Sequence, residues 1–556
     1  MRRVGSLVPV ALLLGGCCEP QHPKVEPTFQ RQPLLRAETE WERSLPIIDI
    51  HAHMFNGRYL PLTNIALGKR DKYWFTQLFP DPMVVAAAQY INDMTVLSGD
   101  REGPLDVAGT RAHENRALEN AARTSGVPAK DLGTRPAMTG LKKIVRTQTR
   151  SDLRAALRRP DDQTLTPEER RALRCLGLFG EVDFLAAMVL SDDRRSIAYR
   201  EDFRLKDRQV LTVCHMMDLG PVYAQEPEPG QLLAFDEQIR RMDLFQQKPD
   251  DIRIYFVAYN PFRGDDSLEI VQDAVAHHHA YGVKVYPPSG YRPIHNQIPS
   301  RPVALFSSVP GRQWDGRYAH LDAAELDHRL EALLAWCEEA QVPVFVHCST
   351  GEFEARKGYG RLMAHPKWWL QYLQAHPAKD GGPCRLRLCL GHAGGPDFWF
   401  GGGSDADWGR TVFDICTTYP NVYCEVGVHT EIMEQEKLAA FVSTVSGLFS
   451  ATDQPTKDRP YPLSGKMMYG TDWFMPGPVD HPSDYLEAYQ VAFLDPRLRG
   501  YYKRFFLDNA IHYLDIEARL ARQEFPPPVR SRLEQIVHAS RERGEKGTPG
   551  AAVGSP

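Results

Sequence analysis

Eight short apolar runs, with helix-like stretches between most of them, constrain the fold of this chain more than any other feature. They are Leu45–Ile50, Val210–Met217, Arg253–Tyr259, Val283–Tyr286, Val342–Val346, Leu386–Leu390, Val422–Val426 and Lys466–Tyr469. Each holds four to eight residues rich in Val, Ile, Leu, Tyr or Phe, the composition of a strand buried on both faces. Leu268–Tyr281 and Ala323–Ala340 read as helices before the fourth and fifth runs, the second with Leu330, Leu333, Leu334 and Cys337 on one face. Strand and helix alternating about eight times predicts an α/β chain folded as a parallel (β/α)8 TIM barrel. A doubly wound sheet is the alternative. With 556 residues, 42% of them hydrophobic, the chain can fill such a core. Its 66 Lys and Arg against 71 Asp and Glu leave a net charge of −5, without the basic excess that nucleic acid demands.

The N-terminus reads as an address. Arg2 and Arg3 precede a short apolar core, Val4 to Leu14, and Leu14-Gly15-Gly16-Cys17 has the form of a bacterial lipobox. Residues 1–17 are then a lipoprotein signal peptide and Cys17 an acylated anchor to a membrane surface; an ordinary secretory signal is the alternative. Cys18 leaves no Asp at the position that favours inner-membrane retention, so the outer membrane of a two-membrane host is expected. Residues 18–44, with Glu19, Pro20, Pro23, Pro27 and Pro33, read as an extended tether. Beyond this point no apolar run is long enough to span a bilayer. Of ten cysteines, Cys214, Cys348, Cys389 and Cys424 lie in strand-like runs, where a thiol acts as a small buried hydrophobe, and no zinc-type cysteine spacing occurs.

The barrel is expected over 45–515, interrupted by an insertion at 54–208, about 155 residues where a βα unit needs a few dozen. The insertion reads as mainly helical; Thr166-Pro167-Glu168-Glu169 supplies an N-cap, a first-turn proline and acidic residues. Growing from the loop after the first strand, it suits a substrate-selecting cap or, equally, a dimerisation element. Residues 516–556 are expected to form a C-terminal helix and, from about 540, a disordered tail of Gly, Pro and charge.

Polar residues gather at the ends of these runs: Asp49-Ile50-His51-Ala52-His53, Val283-Lys284-Val285, Val346-His347, Leu390-Gly391-His392 and Tyr469-Gly470-Thr471-Asp472. Residues there converge on a barrel's mouth. His51 and His53, two apart on a strand, point the same way and can share one metal. The HxH pattern alone says little, since nineteen histidines in 556 positions make about 0.65 such pairs by chance. His277-His278-His279 also contains HxH and reads as a solvated helix end. The force lies in five matching ends in order.

Those same stretches, with Gly391-His392-Ala393-Gly394-Gly395 and Tyr469-Gly470-Thr471-Asp472-Trp473, resemble the metal motifs of the amidohydrolase superfamily. The glycine-rich turn after His392 and the closing Phe506-Leu507-Asp508-Asn509-Ala510 resemble its amidohydrolase-2 branch, which includes aminocarboxymuconate semialdehyde decarboxylase and related decarboxylases and hydrolases. The resemblance covers about 45–53 and 209–515 and leaves the insertion without a counterpart. It implies a divalent metal, commonly zinc, held by His51, His53, His347 and Asp472. It also implies that His392 orients or deprotonates the attacking water, with Asp472 as proton carrier. Lys284 lies close to the position where binuclear relatives carry a carboxylated lysine. A single metal is favoured, with Lys284 as a partner for a substrate carboxylate or in a structural ion pair. Tyr286 shares the face of Lys284, and Tyr291 and Arg292 follow in the loop, as groups that can meet a polar or anionic substrate.

Weaker candidates are Glu425 near His429, read as a second carboxylate of the site or an ion-pair partner beneath it, and Glu352 at the rim after His347. Trp399, Trp473 and Phe474 read as packing for an apolar substrate or for the rim, and Gly401-Gly402-Gly403 as a flexible loop. Three functions remain: a metal-dependent hydrolase of a small organic molecule, a non-oxidative decarboxylase using Lys284 and Arg292 for the carboxylate, and a non-catalytic surface-binding lipoprotein.

Overall fold

The computed structural model describes residues 27–29, 38–65, 81–95, 107–148, 166–169, 188–205, 208–223, 232–248, 252–296, 323–350, 354, 358–473, 482–522 and 525–545. The signal peptide with Cys17 and Cys18, most of the tether, Glu352, Phe474 and the tail past 545 lie outside them.

Eight parallel strands pair in sequence order: β1 Ile47–Ala52, β2 Val210–His215, β3 Ile252–Tyr259, β4 Gly282–Val285, β5 Val344–His347, β6 Leu388–Gly391, β7 Val422–Glu425 and β8 Met467–Met468. Every strand residue is buried, as expected where a parallel sheet is covered on both sides. The sheet closes between its first and last strands. Ile50 N–H donates to Tyr469 O at 3.2 Å, Asp472 N–H to His51 O at 2.7 Å, and Ala52 bridges Trp473. This is the TIM barrel, and the predicted runs fall on its strands within a few residues.

Two polar residues fasten that closure. Buried Asp49 accepts from Thr471 N at 3.0 Å, Thr471 Oγ1 at 2.6 Å and Tyr199 OH at 2.8 Å. Burial pushes its carboxyl up to about 7 in spite of these donors. Asn509, in the closing FLDNA stretch, donates from Nδ2 to Ser464 O at 3.0 Å and Met467 O at 2.8 Å, so that motif holds short β8 in place. Around the strands, helices show the expected one-sided burial. Ala323–Ala340 buries Leu326, Leu330, Leu333, Leu334 and Cys337, spaced by three and four.

The chain forms two compact units. One lies within Leu62–Ser191; the other combines Val25–Pro61 with the residues from Asp192 onward. All described elements of the first are helices, including Asp81–Met94, Val107–Ser125 and Pro136–Gln148. Arg146 donates through both Nε and Nη2 to Glu114, each at 2.8 Å. Thr166 caps Glu169 N–H at 3.2 Å, the N-cap expected from sequence, and Glu169 returns a bond to Thr166 N–H at 2.8 Å.

Both ends of the barrel depart slightly from expectation. The stretch read as tether ends in a helix, Glu40–Ser44, set by a reciprocal Thr39–Glu42 cap and by Glu42 accepting from Arg499 at 2.6 and 2.7 Å. The last helix, Pro527–Glu545, runs five residues into the stretch read as tail, and Arg541 Nε reaches Glu517 at 3.1 Å. Among the described residues Cys214, Cys337, Cys348, Cys384, Cys389, Cys416 and Cys424 are buried and form no disulfide, as expected of packing thiols for Cys214, Cys348, Cys389 and Cys424. No described helix is long and apolar enough to cross a membrane.

One buried charge makes stability depend on pH. Lys466, 5% exposed, lies 4.5 Å from the Tyr423 ring centroid and donates to Pro420 O. Burial drives its ammonium from the ordinary 10.5 down to about 8. Between those values the unfolded chain holds a proton that the folded chain has lost. Stability therefore rises with pH across that window and carries the whole penalty below it. Lys466→Met is expected to be more stable than wild type at pH 7, by up to about 3 kcal/mol, the free energy that separates a pKa of 10.5 from one of about 8. That advantage shrinks towards pH 10 in paired denaturation curves; a difference independent of pH refutes the assignment.

Candidate metal centre

The site is built from the C-terminal ends of β1, β5, β6, β7 and β8. His51 is the penultimate residue of β1 and His53 follows the strand directly. His392 sits in the turn after β6 with φ 59°, and Asp472 follows β8 with φ 55°. Left-handed backbone is unfavourable for both and is imposed by the turns that aim them inward. The turn after His392 needs its glycine: Gly394 has φ +79°, and a Cβ there would lie 2.7 Å from the Trp408 carbonyl carbon.

Proton positions follow from partners that can only accept. His53 Nδ1 faces the carbonyl of His215 at 2.9 Å, so Nδ1 carries the hydrogen and Nε2 the lone pair. His51 Nδ1 faces Glu425 Oε1 at 2.9 Å, and the same reasoning leaves its Nε2 without a hydrogen, an acceptor that Lys284 Nζ also meets at 3.1 Å. Both bare nitrogens lie 3.0 Å from one oxygen, Asp472 Oδ1. Three electron-pair donors thus converge, each buried, and they form one of two clusters able to hold a metal among the described residues. Tetrahedral zinc with bonds near 2.0–2.1 Å spaces its ligands by roughly 3.3 Å, so the donor set fits such an ion. Burial, reinforced by the nearby Lys284, holds His51 well below the usual imidazole range and therefore neutral.

A second group adjoins the first. Glu425 Oε1 also accepts from His392 N at 2.8 Å, and Oε2 accepts from Gly427 N. His392 Nδ1 donates to Gly427 O at 3.1 Å. With neutral rings, His392 Nε2 then accepts from His347 Nδ1 at 3.0 Å, and His347 Nε2 accepts from Ser349 Oγ at 3.0 Å. His347, expected beside His51 and His53 as a ligand, thus stands one ring away with both nitrogens engaged. Burial keeps it, too, well below the ordinary value.

Lys284 reaches the site as expected. Its Nζ lies 3.1 Å from His51 Nε2 and 4.2 Å from the Phe345 ring centroid, and burial lowers its pKa. Tyr286 packs edge-on against His347 with centroids 4.8 Å apart. Tyr291 is a brace, accepting from Tyr286 N at 3.0 Å and donating to Tyr259 O at 3.1 Å. Arg292 is turned elsewhere: its Nε donates to His295 O at 3.0 Å and its guanidinium lies 3.9 Å from the Trp368 ring centroid. The short loop after β4 folds that side chain back on itself. The indole N–H groups of Trp399 and Trp473 are committed to Ala393 O and Asp202 Oδ2, each at 2.9 Å, which makes both rings packing elements. His277 is exposed at the end of its helix and His279 pairs with Asp243 at 3.0 Å, so the second HxH stays outside the metal clusters.

Sequence reasoning passed over His215. It ends β2, donates from Nε2 to Ile50 O at 2.8 Å and lends its own carbonyl to His53, which orients the second half of the HxH. The signal was present, but reading the second run through to Met217 hid the strand's end at residue 215.

The sequence matches the family model described as Amidohydrolase over residues 48–516. No curated protein matches it. Among solved structures, one described as a probable 2-pyrone-4,6-dicarboxylic acid hydrolase of Acinetobacter baumannii is similar at 11% identity and TM-score 0.33, covering 58% of this chain and 88% of its own. An amidohydrolase II is similar at 15% identity and TM-score 0.33, with the same coverages of 58% and 88%. At such TM-scores neither likeness bears on the reaction.

Proposed function

Since this chain belongs to the amidohydrolase family, we propose that it is a metal-dependent hydrolase acting on a C–N or C–O bond of a small organic molecule. The observation that carries this reading is the meeting of His51 Nε2, His53 Nε2 and Asp472 Oδ1, with the other nitrogen of each histidine already committed. These three would hold one divalent ion, zinc in the first instance, while His347 stands one ring away. A divalent ion so held supplies a Lewis acid and lowers the pKa of water towards about 7. Asp472, at the centre of the cluster, is placed to take a proton from water and return it to the leaving group. His392, whose ring nitrogens are tied to His347 and the Gly427 carbonyl, would orient that water only on releasing His347. Lys284 offers its ammonium to a carboxylate or carbonyl of the substrate.

That ammonium also favours a second reading, a decarboxylase of the aminocarboxymuconate semialdehyde type, because it lies within 3.1 Å of the cluster and can hold a carboxylate there. Arg292, bound to its own loop, supports this reading less. We further propose an exported lipoprotein acylated at Cys17; the lipobox Leu14-Gly15-Gly16-Cys17 behind a charged start supports it.

Metal content tests the reading. Protein lacking residues 1–18, expressed with zinc, is expected to hold about one equivalent by elemental mass spectrometry. Two equivalents that fall to one in Lys284→Met would mean a bridging lysine, and none would overturn the enzyme. With a turned-over substrate in hand, release of carbon dioxide identifies the decarboxylase.

A further inference from the structure

Glu425 is fully buried at the end of β7, and its two oxygens face three N–H donors: His51 Nδ1, His392 N and Gly427 N. The carboxylate lies in a cradle cut to its size. A Cβ on Gly470 would sit 2.4 Å from Oε2, and one on Gly427 2.8 Å from it. His51, His392 and Glu425 also form the second cluster with metal-ligand chemistry, so two roles compete for this residue.

The hydrogen bonds decide between them. A cation placed among His51 Nδ1, His392 Nδ1 and Glu425 would have to displace the His392 Nδ1–Gly427 O bond and face the His392 backbone N–H, a donor that repels it. It would also require His51 to turn a hydrogen towards His53 and Asp472, dissolving the other cluster. We infer that Glu425 is the positioning residue of the metal centre: one carboxylate holds His51 in the tautomer that presents Nε2 and pins His392 in its left-handed turn. It would act through two histidines that stand 341 residues apart in the chain, His51 and His392, without touching the metal. Partners of this kind raise the basicity of a ligating imidazole and fix its orientation. The inference rests on the metal-dependent reading above.

The test is zinc affinity, measured by competition with a chromophoric chelator, for wild type, Glu425→Gln and Glu425→Asp. Melting of the metal-free proteins is followed alongside. Gln has one acceptor oxygen for three donors, and its amide N–H must confront one of them; Asp keeps the charge but stops one methylene short. Both are expected to bind zinc about 10- to 100-fold more weakly. Cobalt-loaded Glu425→Gln at saturation is expected to show the wild-type absorption bands, because the ligands are unchanged. Wild-type zinc affinity in either variant that melts within about 5 °C of wild type overturns the inference and leaves the enzyme reading intact. Shifted cobalt bands overturn it by making Glu425 a ligand. Wild-type protein that binds no zinc removes the functional reading and, with it, this one.

Discussion

Asp472→Asn is expected to purify with less than about a tenth of an equivalent of zinc, where wild type holds about one. The substitution conserves shape, and asparagine accepts the left-handed φ of 55° at this position at least as well as aspartate. What changes is the sign of the interaction. The amide N–H can donate to His51 Nε2 or His53 Nε2, both of which lie 3.0 Å from the present oxygen. A proton then fills the place that a cation would occupy. Stripped of metal, the variant is expected to be at least as stable as stripped wild type, because its amide N–H can pair with an imidazole nitrogen. Elemental analysis and melting in the presence of chelator read the two halves separately. Retention of a full equivalent of zinc would show that Asp472 is dispensable as a ligand.

The second large effect is expected from one methyl group. Gly470 lies between β8 and Asp472, and a Cβ there would come within 2.4 Å of Glu425 Oε2 and 3.1 Å of His51 Cβ. Neither neighbour is a loose side-chain end, because Glu425 is held by three donors and His51 by Glu425. Gly470→Ala must therefore push the carboxylate off its donors or shift the β8 backbone that closes the barrel. Overpacking of this kind costs about 1–3 kcal/mol. Zinc affinity is expected to fall by about tenfold or more, since the displaced group orients a ligand. Denaturation curves with and without chelator should show the larger loss in the zinc-loaded form. Equal losses would mean that the clash is absorbed away from the site.

Much of this centre was legible in order along the chain. His51, His53, Lys284, His347, His392 and Asp472 all stand at or just beyond strand ends, and a parallel barrel brings such ends to one mouth whatever lies between them. The 155-residue interruption did not obscure that logic, because β1 pairs with β2 regardless of what the connection contains. Arg292 was misplaced by the same reasoning. It follows β4 by only a few residues, yet its loop turns the guanidinium onto His295 and Trp368. Strand periodicity says where a strand's own side chains point, and nothing about a loop that folds back on itself. His215 was lost through a strand end set two residues too late.

Local pattern was therefore enough for the eight strands, their order, the helices of the insertion's described residues and the identity of most polar groups at the mouth, because burial on two faces and helix capping are written in neighbouring residues. Which nitrogen of each histidine is bare, and hence where a cation can sit, was decided only in three dimensions. His53 takes its tautomer from the carbonyl of His215, 162 residues away, and His51 from a carboxylate 374 residues away. A proton's position depends on the acceptor opposite it, and closure of the barrel brings those acceptors into place.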